Sequence, residues 1–335
     1  MKLLVLKFTF LCALFLTIQS YAQSNILNAK TPQEVGISPE AVIANDDKPL
    51  EYGYIGDRDI LWAKTIWEKI DLKQKVNFPL YYPTRQTMFS DTRKPLFQVL
   101  VEAIEDGASD NPSENAITQI YGSDYFRDED KYTDEQALNQ LKYIRIVEAG
   151  FSILDEYGIV GPEERDLYID RYKASTLEDY YPEDLITRLD PFIDPSVINP
   201  QDILYYHIKG MWYFDKIQGE MRYRLLGIAP VGEDVKTKDQ NIDSTPVEYF
   251  WIWFPDARNA LHKAKVLNKD NSAKPVSFDH LLNSRRFNAV IYKTENEYGD
   301  RAIKDYIQND AMMQLLEADR IKEEIRNFEL DMWNH

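Results

Sequence analysis

The sequence predicts an α+β protein with a helical N-terminal half, a short antiparallel β-sheet in the C-terminal half and a long C-terminal helix. Three observations indicate this class. Apolar residues of the first half recur at helical spacing, and residues 203–254 contain runs of β-branched and aromatic residues around a turn. Residues 300–331 then repeat apolar side chains every three or four positions.

Three helices are predicted in the first half. Residues 57–73 begin with aspartates that can cap a helix, and they contain a stripe at helical spacing formed by Ile60, Lys64, Trp67 and Ile70. Residues 95–107 carry a similar stripe and end at a glycine, which commonly terminates a helix. Residues 133–141 begin with TDEQ, in which Thr133 and Gln136 can form a capping box.

The sheet is predicted in the second half. The segments HIKGMWYFDK and MRYRLLGIAPV, residues 207–216 and 221–231, flank Gly219 as the strands of a hairpin would. VEYFWIWF, residues 247–254, is the third strand, and a helix follows it. The final repeat at 300–331 predicts a helix of about 30 residues.

The strand VEYFWIWF has apolar residues on both faces. Successive side chains of a strand alternate, so Tyr249, Trp251 and Trp253 share one face while the intervening residues share the other. Phe250, Ile252 and Phe254 are expected to face the core. Because tyrosine and tryptophan keep a polar group, the first set is predicted to face a covering element or a partner, and Trp212 joins it as a candidate partner-binding residue.

Composition divides the chain into five parts. Residues 1–22 are predicted to be an export signal peptide cleaved after Ala22, and no later apolar run approaches the length of about 20 residues that spans a membrane. An extended arm is predicted at 23–50, a mainly helical half at 51–179 and a linker rich in proline and aspartate at 180–202. The sheet and the last helix occupy 203–335.

Charge and composition disfavour several classes of function. The net charge is −17, and the basic clusters are short, so nucleic acid is not an expected partner. The only cysteine, Cys12, lies in the signal peptide, which excludes disulfides and cysteine-based zinc sites from the mature protein. None of the four histidines has another His or Cys at metal-ligand spacing. No catalytic residue, cofactor or metal is predicted.

Three separated segments carry a family resemblance. They are WAKTIWEKIDLKQKVNFPLYYP from Trp62, WYFDKIQGEMRYRLLGIAPV from Trp212 and WIWFPDAR from Trp251. Together they resemble the GldN/PorN family of gliding-motility and type IX secretion proteins of the Bacteroidetes. The similarity extends from about Glu51 to Lys265.

The resemblance implies a non-enzymatic periplasmic subunit held at the outer membrane. Its implied partners are an outer-membrane lipoprotein of the GldK/PorK type, with which it assembles into a ring, and the periplasmic part of a GldM/PorM-type motor component. Self-association in the ring is implied as well. The resemblance supplies no catalytic residues.

Two other interpretations stay open at this stage. A periplasmic cell-wall-binding protein or glycan hydrolase would use the aromatic residues as sugar platforms and a pair of carboxylates for catalysis. A monomeric structural domain without partners would use the same aromatic residues as core.

Overall fold

A seven-stranded antiparallel β-sheet forms the centre of the structure, a computed structural model that describes residues 48–84, 93–173, 176–238, 245–266, 276–297 and 299–333. Its strands are β1 (Ile60–Asp71), β2 (Ile120–Tyr121), β5 (Ile203–Asp215), β6 (Glu220–Gly232), β7 (Val247–Glu248), β8 (Trp251–Trp253) and β11 (Val290–Thr294). They run in the order β11–β1–β5–β6–β8–β2, and β7 also pairs with β6. Two further pairs join β3 (Lys142–Ile146) to β4 (Ile193–Val197) and β9 (Lys265–Val266) to β10 (Val276–Ser277). The predicted signal peptide, and the predicted arm up to residue 47, lie outside the described residues.

The predictions of a helical N-terminal half and of a short sheet are wrong. The chain enters the sheet at Ile60, and β1 occupies most of the segment predicted to be the first helix, residues 57–73. β1 pairs with β5 over its length and with β11 at Ile66–Lys69. The first half of the chain therefore supplies a central strand of a large sheet.

Both faces of β1 are covered, which explains the false helical pattern. Ile66 and Ile70 pack beneath helices on one face, whereas Trp67 packs in a separate cluster on the other. When both faces need apolar side chains, the alternation of period two disappears, and short apolar runs no longer distinguish a strand from a helix. The β-branched and aromatic residues of ILWAKTIW are the signal that favours a strand.

The described residues form ten α-helices. They are α1 (Phe78–Tyr81), α2 (Leu96–Gly107), α3 (Asp134–Asn139), α4 (Glu148–Glu156), α5 (Pro162–Lys173), α6 (Glu183–Leu189), α7 (Phe254–Lys263), α8 (Phe278–Asn283), α9 (Ile303–Tyr306) and α10 (Ala311–Trp333). The predicted helix at 95–107 is confirmed by α2. The predicted capping box is confirmed at α3, where the Thr133 hydroxyl accepts from the Gln136 amide and the Gln136 side chain accepts from the Thr133 amide. None of the helices in the described part of the chain is both long and apolar enough to cross a membrane.

The helix predicted at 300–331 is two helices. Asn309 has a positive φ of 59° between α9 and α10, and such a left-handed residue interrupts a helix. Asp310 then caps α10, because its carboxylate accepts from the amide of Met313 at 2.9 Å. The long C-terminal helix consequently has 23 residues.

The helices pack mainly on one face of the sheet, which we call the inner face. Ile70, Ile208 and Ile228 meet α2, α7 and α8 there and form the main core. At the other end of the same face, Ile66 and Ile291 meet α10 through Ala318, Ile321 and Ile325. We call the opposite face the outer face. A loop and aromatic side chains, rather than the helices of the main core, pack against it.

Residues 142–197 form a lobe with its own small core. In the chain, helices α4, α5 and α6 follow β3 and precede β4, and these two strands pair with each other. The helices bury a shared set of side chains, namely Leu154, Tyr168, Leu185 and Leu189. The segment 180–202, predicted to link two halves, contains α6 and β4. The lobe begins and ends at the same strand pair.

Candidate interaction surface

A row of five residues crosses the outer face in strand register. Lys293 of β11 lies opposite Trp67 of β1, which lies opposite Lys209 of β5. Lys209 lies opposite Gly227 of β6, and Gly227 lies opposite Trp253 of β8. Directly opposed residues point to the same face of a sheet, so this outer row combines two cations, two tryptophans and a glycine gap.

The glycine gap is filled by Phe126. A Cβ atom built on Gly227 would lie 2.3 Å from Cζ of Phe126, so only glycine leaves room for this ring. The ring meets Tyr121 and Trp253 edge-on, with centroid separations of 5.3 and 5.0 Å. Phe126 thus anchors the loop 122–130, which we call the cover loop, on the outer row.

Asp124 of the cover loop binds both lysines of the outer row. Lys209 Nζ donates to the Asp124 carbonyl oxygen and Lys293 Nζ to Asp124 Oδ2, each at 2.7 Å. Both ammonium groups also lie over the Trp67 ring, at 4.8 and 4.3 Å from its centroid. Burial lowers the pKa of Lys209, while Asp124 opposes that shift.

A second polar cluster, centred on Glu248, lies next to the outer row. Its carboxylate accepts from Trp251 Nε1 at 3.1 Å and also contacts His207 Nδ1, while the His207 ring stacks on Tyr292 at 4.3 Å. Burial acts to raise the pKa of Glu248, but the hydrogen bonds and charge of His207 and the bond from Trp251 outweigh it. The pKa of Glu248 therefore lies below its usual value.

A pH-dependent stability is expected from Glu248. A carboxylate whose pKa is lowered by folding stabilises the folded state above its unfolded pKa of about 4.3, and this contribution disappears as the pH falls through the folded pKa. Replacing Glu248 by glutamine should therefore lower the free energy of unfolding at pH 7 and make a smaller difference at pH 3–4. Urea unfolding across this range measures the effect, and the 41% exposure of the Glu248 side chain keeps it modest.

The control for this measurement is Glu114→Gln, an exposed position in the loop between α2 and β2. It should leave the pH dependence unchanged. Parallel curves for Glu248→Gln and the unmodified protein would contradict the role of Glu248.

The structure separates the four predicted partner-binding residues. Trp251 is buried beside the outer row with Trp67 and Tyr121, and half-buried Trp253 belongs to the row itself. Tyr249 lies in the main core, where its hydroxyl donates to the Glu233 carbonyl. Trp212 lies on the inner face near α10. Their role in partner binding stays a prediction.

Sequence reasoning missed the other members of the outer row. Trp67 was placed on a helix, and the pairing of Lys209 and Lys293 depends on a register between distant segments. One local signal exists. A glycine within an apolar strand, here Gly227, often marks a close approach by another part of the chain.

The inner face contains a buried ion pair beside Trp212. Arg285 donates to both oxygens of Glu68 at 2.8 and 2.7 Å, and its guanidinium lies 4.1 Å from the Tyr223 ring centroid. The pair borders a cavity of about 220 Å³ between the sheet and α10, which Trp212 also lines. Burial lowers the pKa of Arg285, but the hydrogen bonds and charge of Glu68 more than compensate and raise it.

The fold defines an α+β protein built around a seven-stranded antiparallel sheet, with lysine, tryptophan and phenylalanine side chains in mutual contact on its outer face. Within the described residues, no group of three or more His, Asp or Glu side chains is arranged to hold a metal ion. The family model for the gliding motility associated protein GldN matches residues 55–334. The chain therefore belongs to the GldN family, which confirms the resemblance in the three sequence segments. No curated protein matches the chain.

Proposed function

We propose that this protein is a non-enzymatic periplasmic scaffold subunit of the type IX secretion and gliding machinery. It forms a ring with an outer-membrane lipoprotein of the GldK/PorK type and links that ring to a GldM/PorM-type motor component. It is exported by a signal peptide cleaved near Ala22 and associates peripherally with the outer membrane. The observation that carries this proposal is membership of the GldN family, whose members are associated with gliding motility.

Exposed apolar residues at the start of α10 support a function based on contact. Four large side chains of its first turns are exposed near the similarly exposed Tyr306, namely Met312, Met313, Leu315 and Leu316. We call these five residues the α10 patch. A second exposed group, Val76, Phe78 and Tyr82, lies around α1. Apolar groups of this kind often mark interaction sites, and a head-to-tail ring requires two different surfaces on each subunit.

The proposal is tested by purification from solubilised outer membranes. A tagged copy is expected to recover the lipoprotein, identified by mass spectrometry, in particles that appear as rings in negative stain. A lone monomer from cells shown to be secreting by this route would contradict the proposal.

A matched pair of variants tests the α10 patch in the same experiment. Leu316 and Leu330 are 55% and 54% exposed on the same helix, about 21 Å apart at 1.5 Å per residue. Leu316→Glu should prevent recovery of rings, whereas Leu330→Glu, outside the patch, should not. Equal recovery with both variants would remove the patch from the ring contacts.

A further inference from the structure

The cover loop contacts the outer row in the way that a bound peptide contacts a receptor. Its carboxylate and one carbonyl accept charge-assisted hydrogen bonds from Lys293 and Lys209, which fix its position. Two residues later, the Phe126 ring fills a pocket that is made by the missing side chain of Gly227 and walled by aromatic rings. Aromatic anchors seated in pockets are typical of the strongest contacts in protein interfaces, and the Phe126 ring is partly buried in this position.

The cover loop is one of several sources of negative charge around the outer row, which also include Glu295 and Asp300 near Lys209 and Glu248 near Lys293. Among the described residues, Asp124 supplies the hydrogen-bond acceptors of both lysines, and Lys293 and Asp124 are mostly buried where they meet. The Trp67 indole N–H beneath the lysines has no hydrogen-bond acceptor in the described part of the chain. The row therefore has a donor to spare, and the carboxylate that Lys293 binds is supplied by the cover loop.

The cover loop is built as a separate unit. Its base is closed by the bridge between Tyr121 and Lys131 and by the bond from the Gly122 amide to the Asp130 carbonyl at 2.8 Å. Its lifting would therefore leave the pairing of β2 with β8 in place. The loop therefore lies outside the hydrogen-bonded ladder of the sheet.

Backbone strain opposes the seated conformation. Phe126 has a φ of 54°, a left-handed conformation that is strained for a bulky residue. Strain of this kind persists where surrounding contacts impose it, and it is common at switch regions and binding sites. A segment that seats its aromatic ring in a relaxed conformation would avoid this cost.

We propose that the outer row is a binding site for an extended segment of a partner protein that carries a carboxylate and, two residues later, an aromatic ring. The cover loop occupies this site in the isolated chain, and the partner segment displaces it. The inference rests on one part of the proposed function, namely that the protein acts by binding other proteins. The loop is a competitor in cis, and a short tether gives such a competitor an effective concentration on the order of millimolar.

A synthetic peptide with the sequence GSDYFRD, residues 122–128, is the probe. Its binding to the purified mature chain is measured by fluorescence anisotropy. The double variant Asp124→Asn/Phe126→Ala should bind it at least about tenfold more tightly than the unmodified chain, because the internal competitor is weakened. Peptides with Asp→Asn or Phe→Ala at the matching positions should bind less tightly. Arg127→Ala, at a largely exposed side chain, should leave binding unchanged.

A third substitution locates the peptide on the outer row. Adding Gly227→Ala to the double variant should abolish binding, since the new Cβ atom occupies the ring pocket, and the shortened residue 126 leaves room for it. Thermal unfolding checks that each variant is folded. If the double variant does not fold, Phe126→Ala alone, which also leaves room for the new Cβ atom, is judged by the same two criteria.

Two results would overturn the proposal. One is equal affinity of the peptide for the unmodified and loop variants. The other is binding that is insensitive to Gly227→Ala. The assay uses one purified chain and a synthetic peptide, so failure to recover rings from membranes would not affect it, and failure to bind the peptide would not affect the ring proposal.

Discussion

Replacing Trp251 by alanine is expected to lower the free energy of unfolding by about 3–5 kcal/mol, the range for removing a large aromatic side chain from a core. Trp251 is 1% exposed and packs with Trp67, Tyr121 and Ala229. The substitution also removes the indole donor to Glu248, which leaves a partly buried carboxylate with one partner fewer. Equilibrium unfolding in urea, followed by circular dichroism, measures the loss.

Trp253→Ala is the matched control for this prediction. It lies on the same strand and meets the same Phe126 ring but is only half-buried, so it should cost clearly less. An unchanged stability in Trp251→Ala, together with loss of co-purifying partners, would instead place Trp251 in an interface. The burial of its side chain among Trp67, Tyr121 and Ala229 argues for the loss of stability.

Replacing Arg285 by alanine is expected to cost about 3 kcal/mol, near the lower end for breaking a buried ion pair. The substitution leaves the carboxylate of Glu68, which is 1% exposed, without its charged partner. Burying an unpaired charge is far more costly than losing an exposed pair. The lower end applies because the Arg285 side chain is itself 26% exposed. Urea unfolding again provides the measurement.

Two further variants separate the loss of the pair from the loss of an arginine. Arg326→Ala breaks an exposed pair with Glu323 on α10 and should change stability by less than about 1 kcal/mol. The double variant Glu68→Leu/Arg285→Met removes both charges and should recover most of the stability, since hydrophobic replacements of buried pairs are often neutral. A double variant as unstable as Arg285→Ala would show that packing, rather than charge, accounts for the effect.

The elements predicted correctly are those that local sequence determines. The hairpin of β5 and β6 turns at Gly219, whose φ of 68° suits glycine, and the capping box at Thr133 depends on residues three positions apart. β1 was missed because its partners are distant: Trp67 pairs with Lys209 and with Lys293. A strand covered on both faces lacks the alternation that would have identified it.

Local sequence also predicted part of the cluster on the outer face, because side chains alternate along a strand. The alternation of VEYFWIWF placed Trp251 and Trp253 on one face, and the structure brings both to the cluster around Phe126. Tyr249 precedes the strand and lies in the main core instead. The lysines and Asp124 meet only through the sheet register and a loop whose conformation includes a left-handed phenylalanine, and residue patterns do not predict either feature.

The pairing of β3 with β4, where the lobe of residues 142–197 joins the main core, affects which changes in length the chain can accept. The Ile198 amide donates to the Leu141 carbonyl at 2.9 Å, and both residues belong to the main core, so the chain leaves and re-enters the body at one point. The lobe is therefore equivalent to one long insertion in the chain, and its two ends are close enough for a tight turn to connect them. Insertions, deletions or a grafted domain between these ends would leave the connectivity of the central sheet intact. The lobe is therefore a place where the chain can change in length, or accept an inserted reporter protein, without altering the order of strands in the central sheet.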